Sequence, residues 1–255
     1  MNLKVYFLLF GVLFLGACTT EDLSSSKEST VKSGSYATML TISNFLYVVN
    51  KTQITTFDIS KPGNPVEINK QNVGFDIESI YHHQDLLLIG SSNNMYIYSI
   101  GDNGIPLRQS ATMYSESFGE DVCTSDPIIV KDDIAYVTLS STLEVCRQFN
   151  EINQLRVYDV KDIKAPRLLN VINMSAPKGL GLGKNHLFVC DQEDGLIVYN
   201  LSDPLKPVKV NGFAGFEGFD LIVSNNLLIV VAKDQLLQYD ISDETNIKYL
   251  SKIEL

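Results

Sequence analysis

Tryptophan is absent from this chain, histidine occurs only as His82, His83 and His186, and no stretch gathers lysine or arginine into a basic patch. The formal net charge is −10 and the pI is near 4.7. Such a surface repels phosphates, so no nucleic-acid partner is expected. No Gly-x-Ser-x-Gly, His-Glu-x-x-His, phosphate-binding loop or Cys-x-x-Cys occurs. Without these motifs the sequence names no catalytic residue, and neither a metal nor another cofactor is expected. No window sustains the 3.6-residue apolar period of an amphipathic helix. Short alternating runs bounded by Gly, Asn, Asp and Pro fill the chain instead, the signature of strands and turns.

The longest apolar run, Val5 to Ala17, follows Lys4 and falls short of the roughly 20 residues a membrane-spanning helix needs. It reads as a cleavable signal peptide over residues 1–17. Its end, Leu15-Gly16-Ala17-Cys18, resembles the bacterial lipobox, which implies a lipid on Cys18 as the new N-terminus. Two or more acyl chains hold a protein firmly on a bilayer. Residues 18–35 are Ser-rich and poor in apolar side chains, so a flexible tether is expected there. Glu21 and Asp22 behind the lipidated position resemble the surface-export signals of Bacteroidota lipoproteins. The expected location is the bacterial outer membrane, either surface-exposed or facing the periplasm.

The remainder, residues 36–255, is a five-fold repeat. Its carriers are QITTFDISKPGNP from Gln53, NMYIYSIGDNGIP from Asn94, QLRVYDVKDIKAP from Gln154, GLIVYNLSDPLKP from Gly195 and QLLQYDISDETNI from Gln235. They align without a gap on Asp58, Ser99, Asp159, Asn200 and Asp240, at spacings of 41, 60, 41 and 40 residues. Four strands per period of this length is the signature of a propeller blade, and one blade cannot bury both of its faces alone. The sequence therefore predicts an all-β, five-bladed β-propeller of four-stranded antiparallel blades. The blades fall at about 36–73, 74–113, 125–173, 178–213 and 218–255.

Positions fixed by the repeat have structural readings. Phe57, Tyr98, Tyr158, Tyr199 and Tyr239 share one position, with Ile59, Ile100, Val160, Leu201 and Ile241 two residues on. A period of two places both on one sheet face, as packing between blades, and the first and last blades should meet by the same packing. Asp58, Asp159, Asn200 and Asp240 head the turn between strands C and D, where their side chains can accept local backbone N–H groups. Pro65, Pro106, Pro166 and Pro207 suit the start of an outer edge strand. The three His are expected to decorate turns. The run Asp191 to Gly195 lacks the spacing of a calcium loop and is explained by a hairpin turn on Asp194-Gly195.

The stretches LYVVNKTQITTFDISKPGNP, LFVCDQEDGLIVYNLSDPLKP and LLIVVAKDQLLQYDISDETN resemble the LVIVD-repeat proteins, found mostly among bacterial exported and surface proteins. The resemblance implies a β-propeller and brings no catalytic residue with it. Ser99 in place of the anchoring Asp, and Ile247 in place of the Pro, depart from the pattern.

Insertions in the third unit point to a functional face. Cys123 lies in the long link between blades two and three, and Cys146 in the long B-to-C loop of blade three. In an antiparallel four-stranded blade, D-to-A links and B-to-C loops emerge on the same face of the disc. A Cys123–Cys146 disulfide would therefore staple both insertions, leaving Cys190 in a buried strand B. Long crosslinked loops on a rigid scaffold are where binding residues concentrate. The candidate binding face comprises Tyr114, Glu116, Phe118, Glu120, Asp121, Arg147, Phe149, Asp191, Glu193 and Asp194, suited to a protein or glycan partner. The expected function is a non-enzymatic, membrane-tethered binding module. The alternative is a propeller hydrolase or oxidoreductase with Asp76, Glu78, Asp126, Lys178 and Asp220 at the central channel mouth. Fold alone does not choose between them.

Overall fold

A computed structural model describes residues 36–115, 127–141 and 152–255. The signal peptide and tether lie outside the described residues, as do Cys18, Glu116, Phe118, Glu120, Asp121, Cys123, Asp126, Cys146, Arg147 and Phe149.

Alternation of apolar residues with period two yields twenty strands among the described residues, grouped into five four-stranded sheets, each a meander of consecutive antiparallel neighbours. Blade one holds β1 (Met39–Ile42), β2 (Phe45–Val49), β3 (Gln53–Asp58) and β4 (Val66–Asn72). Blade two holds β5 (Ile77–His83), β6 (Leu86–Ser91), β7 (Asn94–Ile100) and β8 (Pro106–Met113). Blade three holds β9 (Ile128–Lys131), β10 (Ile134–Ser140), β11 (Asn153–Asp159) and β12 (Arg167–Asn173). Blade four holds β13 (Pro177–Leu182), β14 (His186–Asp191), β15 (Gly195–Asn200) and β16 (Val208–Phe213). Blade five holds β17 (Gly218–Ser224), β18 (Leu227–Ala232), β19 (Gln235–Asp240) and β20 (Lys248–Glu254). The protein is an all-β propeller of five four-stranded blades.

The turns follow the chemistry of their residues. Ser43, Gln84, Asp132 and Asn225 open the A-to-B turns of blades one, two, three and five with φ of 51°, 53°, 54° and 53°, the left-handed backbone tight hairpins require. At the C-to-D turns, Asp58, Asp159, Asn200 and Asp240 each accept the backbone N–H two residues on, from Ser60, Lys161, Ser202 and Ser242. Those N–H groups, with the exposed positive side chains nearby, hold Asp58 and Asp240 below their ordinary carboxylate value. A second turn of the same kind follows on Asn103, Asp162, Asp203 and Asp243. Pro106 opens its strand D, and Pro65, Pro166 and Pro207 stand immediately before theirs. Gly195 has φ +79°, and a Cβ there would stand 2.2 Å from the Phe213 carbonyl oxygen, so the Asp194-Gly195 turn demands glycine.

Every blade also carries a bulge between strands C and D, immediately before the repeat aromatic: at Thr56/Phe57, Ile97/Tyr98, Val157/Tyr158, Val198/Tyr199 and Gln238/Tyr239. The extra residue sharpens the local twist of the outer strand.

Apolar packing lies between blades, in four clusters among the described residues. Tyr47, Ile54, Leu87, Ile89 and Tyr98 join blades one and two, and Leu88, Ile97, Val130, Val137 and Tyr158 join two and three. Tyr136, Val157, Leu187, Val189 and Tyr199 join three and four, and Phe188, Val198, Leu228, Val230 and Tyr239 join four and five. Among the described residues no such cluster joins blades five and one. Tyr98, Tyr158, Tyr199 and Tyr239 are at most 4% exposed, whereas Phe57 and Ile59 are only half-buried. Phe57 is thus less covered than the tyrosines at its four equivalent positions, while Ile59 is covered like its equivalent Ile100.

Candidate functional site

The face that collects D-to-A links and B-to-C turns is tied together blade by blade. Lys51 Nζ reaches Asp76 Oδ1 at 2.7 Å, Ser175 Oγ donates to Asp194 Oδ2 at 2.8 Å, and Lys233 Nζ reaches Glu217 Oε1 at 3.1 Å. The backbone does the same, with Val73 N donating to Thr52 O and Tyr114 N to Asn93 O. Each of these bonds links a B-to-C turn to the neighbouring connection. The bases of both insertions lie on this face, the B-to-C loop of blade three being closed by Ser141 N on Ile152 O.

Two candidate binding residues are reassigned. Tyr114 is fully buried in the seam between blades two and three, and its carbonyl accepts from the buried Arg156 guanidinium at 2.8 Å. It occupies the position of Val73 and Met174, whose N–H groups make the same bond to the B-to-C turn, so its ring packs inward and is not presented to a partner. Asp191 is also fully buried. One carboxylate oxygen accepts from Glu193 N and Asp194 N, the other from Ala176 N, so it caps the turn instead of facing a ligand. Asn50 and Ser91 cap the equivalent turns of blades one and two through Gln53 N and Asn94 N. Glu193 and Asp194 remain exposed on the face.

Beside them opens a cleft of about 390 Å³ between the B-to-C turns of blades four and five, lined by Gln192, Glu193, Phe216, Glu217, Lys233 and Asp234 among others. Phe216 rests on the blade four to five cluster and supplies an aromatic floor to a polar rim. On the blade one to two connection of the same face, Phe75 is 71% exposed. Sequence reasoning missed both Phe75 and Phe216. Their signal was an aromatic within a Gly-containing link, Gly74-Phe75 and Gly215-Phe216.

The channel-mouth candidates separate. Asp76, with φ +50°, is engaged by Lys51 at the surface. Glu78 and Lys178 sit at bulges of the inner strands β5 and β13. Burial pushes the Lys178 ammonium below its ordinary value, against the opposing charges of Glu78 and Asp191. Asp220 packs on Gly179, where a Cβ would come within 2.2 Å of its carboxylate. Among the described residues no group of three His, Cys, Asp or Glu is placed to hold a metal ion.

His186 is corrected from a turn ornament to part of a buried clamp. Its Nδ1 lies 2.9 Å from Glu244 Oε2, with side chains 5% and 9% exposed. Glu244 reaches from the C-to-D turn of blade five into the A-to-B turn of blade four, where it also accepts from Lys184 N and Asn185 N. Burial opposes its charge, but the two backbone N–H groups and His186 outweigh it and hold the carboxyl below its ordinary value. At other seams a tyrosine does this work, Tyr47 Oη donating to Gly104 O and Tyr136 Oη to Pro204 O. Cys190 is a fully buried thiol donating to Asp220 O, and burial raises it well above its ordinary value.

No protein-family model matches the chain, and no curated protein does. Solved structures do. A functionally unknown protein from Desulfotomaculum acetoxidans matches with a TM-score of 0.68 at 10% identity, over 85% of this chain and 69% of that one. The Pseudomonas aeruginosa periplasmic gluconolactonase matches with a TM-score of 0.59 at 12% identity, over 83% and 69%. BamB from Moraxella catarrhalis matches with a TM-score of 0.57 at 12% identity, over 85% and 63%. This chain thus spans about two thirds of the structures it resembles. At these identities the likeness is one of fold, and the fold it shares is the β-propeller.

Proposed function

We propose that this chain is a non-enzymatic binding module of LVIVD-repeat type, tethered to an outer membrane by a lipid on Cys18, which engages a protein or glycan through its B-to-C and D-to-A face. The observation that carries the reading is the open cleft between blades four and five, with Phe216 as floor and Glu193, Glu217, Lys233 and Asp234 as rim. An aromatic plane ringed by carboxylates, an amide and an ammonium matches the alternating apolar faces and hydroxyls of a sugar, or a basic peptide segment. A Cys123–Cys146 disulfide between the two insertions would extend this surface beside blade three. Partner capture from native membranes, together with a glycan array, tests the reading. Phe216→Ala and Lys233→Ala are expected to weaken retention by about tenfold or more each, the loss typical of a central contact. Unchanged retention in both variants, and after shortening of residues 142–151, contradicts it.

One observation favours a second reading, an enzyme working at the channel mouth. Lys178 is buried, its ammonium is destabilised by that burial, and it stands at an inner-strand bulge near Glu78. A depressed lysine in such a position suits general-base or nucleophilic chemistry. A hydrolytic or redox activity lost in Lys178→Met but retained in Phe216→Ala would move the function there.

A further inference from the structure

Beside the repeat tyrosine of blades two to five, on the outer side of each seam, lie three repeat positions. One is two residues before the tyrosine on strand C, where blades two to five carry Tyr96, Arg156, Ile197 and Leu237. Another is paired with the tyrosine on strand D and carries Arg108, Leu168, Lys209 and Tyr249. The third, near the end of the preceding strand D, carries Gln71, Thr112, Ile172 and Phe213.

At three seams the chain's own side chains occupy this spot. Between blades one and two, the Arg108 guanidinium lies 4.9 Å from the centre of the Tyr96 ring and donates to Val73 O at 3.3 Å. Between blades two and three, the buried Arg156 donates to Tyr114 O and to Gln154 Oε1, each at 2.8 Å. Between blades four and five, the Phe213 and Tyr249 rings stand 5.0 and 5.8 Å from that of Tyr239. Between blades three and four the same spot is a cavity of about 490 Å³, lined by Ile172, Met174, Ile197, Tyr199, Asp194 and Lys209 among others. That volume falls within the range of ligand pockets, about 300–1,000 Å³. Ile172 and Ile197 are too short to fill it. Lys209 lies along its own strand, its Cε 3.9 Å from where a Cβ on Gly212 would stand.

The filled seams indicate what suits the open one. Met174 occupies the position of Val73 and Tyr114, the two residues whose carbonyls accept from arginine, yet no arginine lines the cavity. The environment favours a cation over an aromatic ring. Ser175 Oγ holds the Asp194 carboxylate at the mouth. Burial, and after it the charges of Asp191 and Asp194, push the Tyr199 phenol up to about 12. A guanidinium satisfies the whole site: its stem packs on isoleucine, its plane stacks on a tyrosine, and its N–H fork reaches a carbonyl and a carboxylate.

We infer that the outer cavity between blades three and four is a receptor pocket for an arginine side chain of a protein partner. It is a separate site from the cleft between blades four and five.

The test is a titration of the full chain, carrying ¹³C-labelled isoleucine and methionine methyl groups, with N-acetyl-arginine N-methylamide. Saturable shifts are expected at Ile172, Met174 and Ile197. The matching citrulline and lysine probes, one without the charge and one without the fork, should bind weaker by about fivefold or more. Lys209→Tyr gives blade four the ring that Tyr249 gives blade five, and should abolish the saturable shift. Loss of a rim ammonium alone would strengthen cation binding, so a decrease reports the plug. Ile197→Arg, which copies Arg156, should block the pocket as well, and the exposed position of Lys209 keeps the test valid if that variant does not fold. Absence of saturation, equal binding of the citrulline probe, or undiminished binding in Lys209→Tyr overturns the proposal. Tighter binding of free arginine than of the blocked probe overturns the polypeptide source.

Discussion

Blades two to four and blades one and five are built from the same repeat, yet they are buried differently. In β6, β10 and β14 nearly every residue is buried, whichever face it points to. In β18 the pattern alternates strictly between half-buried and buried, and β2 ends in the same alternation. Burial on both faces is thus a property of having two neighbours, not of the repeat itself. The apolar residues of blades one and five are as suited to packing as the rest, but alternate ones along β2 and β18 are only half-buried.

That contrast orders the mutational effects. Tyr158→Ala, in a two-sided seam, should cost about 3–5 kcal/mol in urea unfolding, whereas the equivalent Phe57→Ala should cost about 1–2 kcal/mol. Equal losses would mean that Phe57 is as packed as its counterparts. Glu244→Gln removes the carboxylate from a buried clamp and should cost about 1–3 kcal/mol at neutral pH. Its pH dependence has a definite sign. Because the folded carboxyl lies below its ordinary value of 4.5, the unfolded chain takes up the proton first as pH falls. The stabilisation is complete above that value and is lost on further acidification through the folded value. The acid limb of a melting-temperature profile should therefore flatten in Glu244→Gln, and an unchanged limb would remove the clamp from the account. Gly195→Ala forces a Cβ onto the Phe213 carbonyl at positive φ, and should cost more than about 1 kcal/mol by the same unfolding measurement. The smallest effect is expected from Asp58→Asn, because an amide oxygen accepts the Ser60 N–H as a carboxylate does. Asn200 already does so in blade four, so the melting temperature should fall only slightly, by the small charge contribution that keeps the exposed Asp58 carboxyl below its ordinary value.

Much of the fold was legible in the sequence because its signals are local and repeated. The Asx anchors, the alternating runs and the prolines before strand D each act within a few residues, and five aligned copies separate them from chance. What escaped depends on partners distant in the chain. Tyr114 sits in a long link and reads as a loop residue, although its register with Val73 and Met174 marks it as a seam residue. Asp191 reads as one more rim carboxylate until Asn50 and Ser91 are seen capping the same turn. Glu244 replaces Pro62 and Pro204 at its repeat position, and nothing near it in sequence announces that it will enter the turn before His186.

The most direct test of the central contrast is side-chain footprinting of the full chain in its native state, comparing equivalent positions across blades. The account predicts strong labelling of Val48, Phe57, Ile229 and Leu236, with protection of Val189, Tyr199, Phe188 and Leu196. Uniform protection at all eight positions would contradict it, because blades one and five would then be as fully packed as the blades between them.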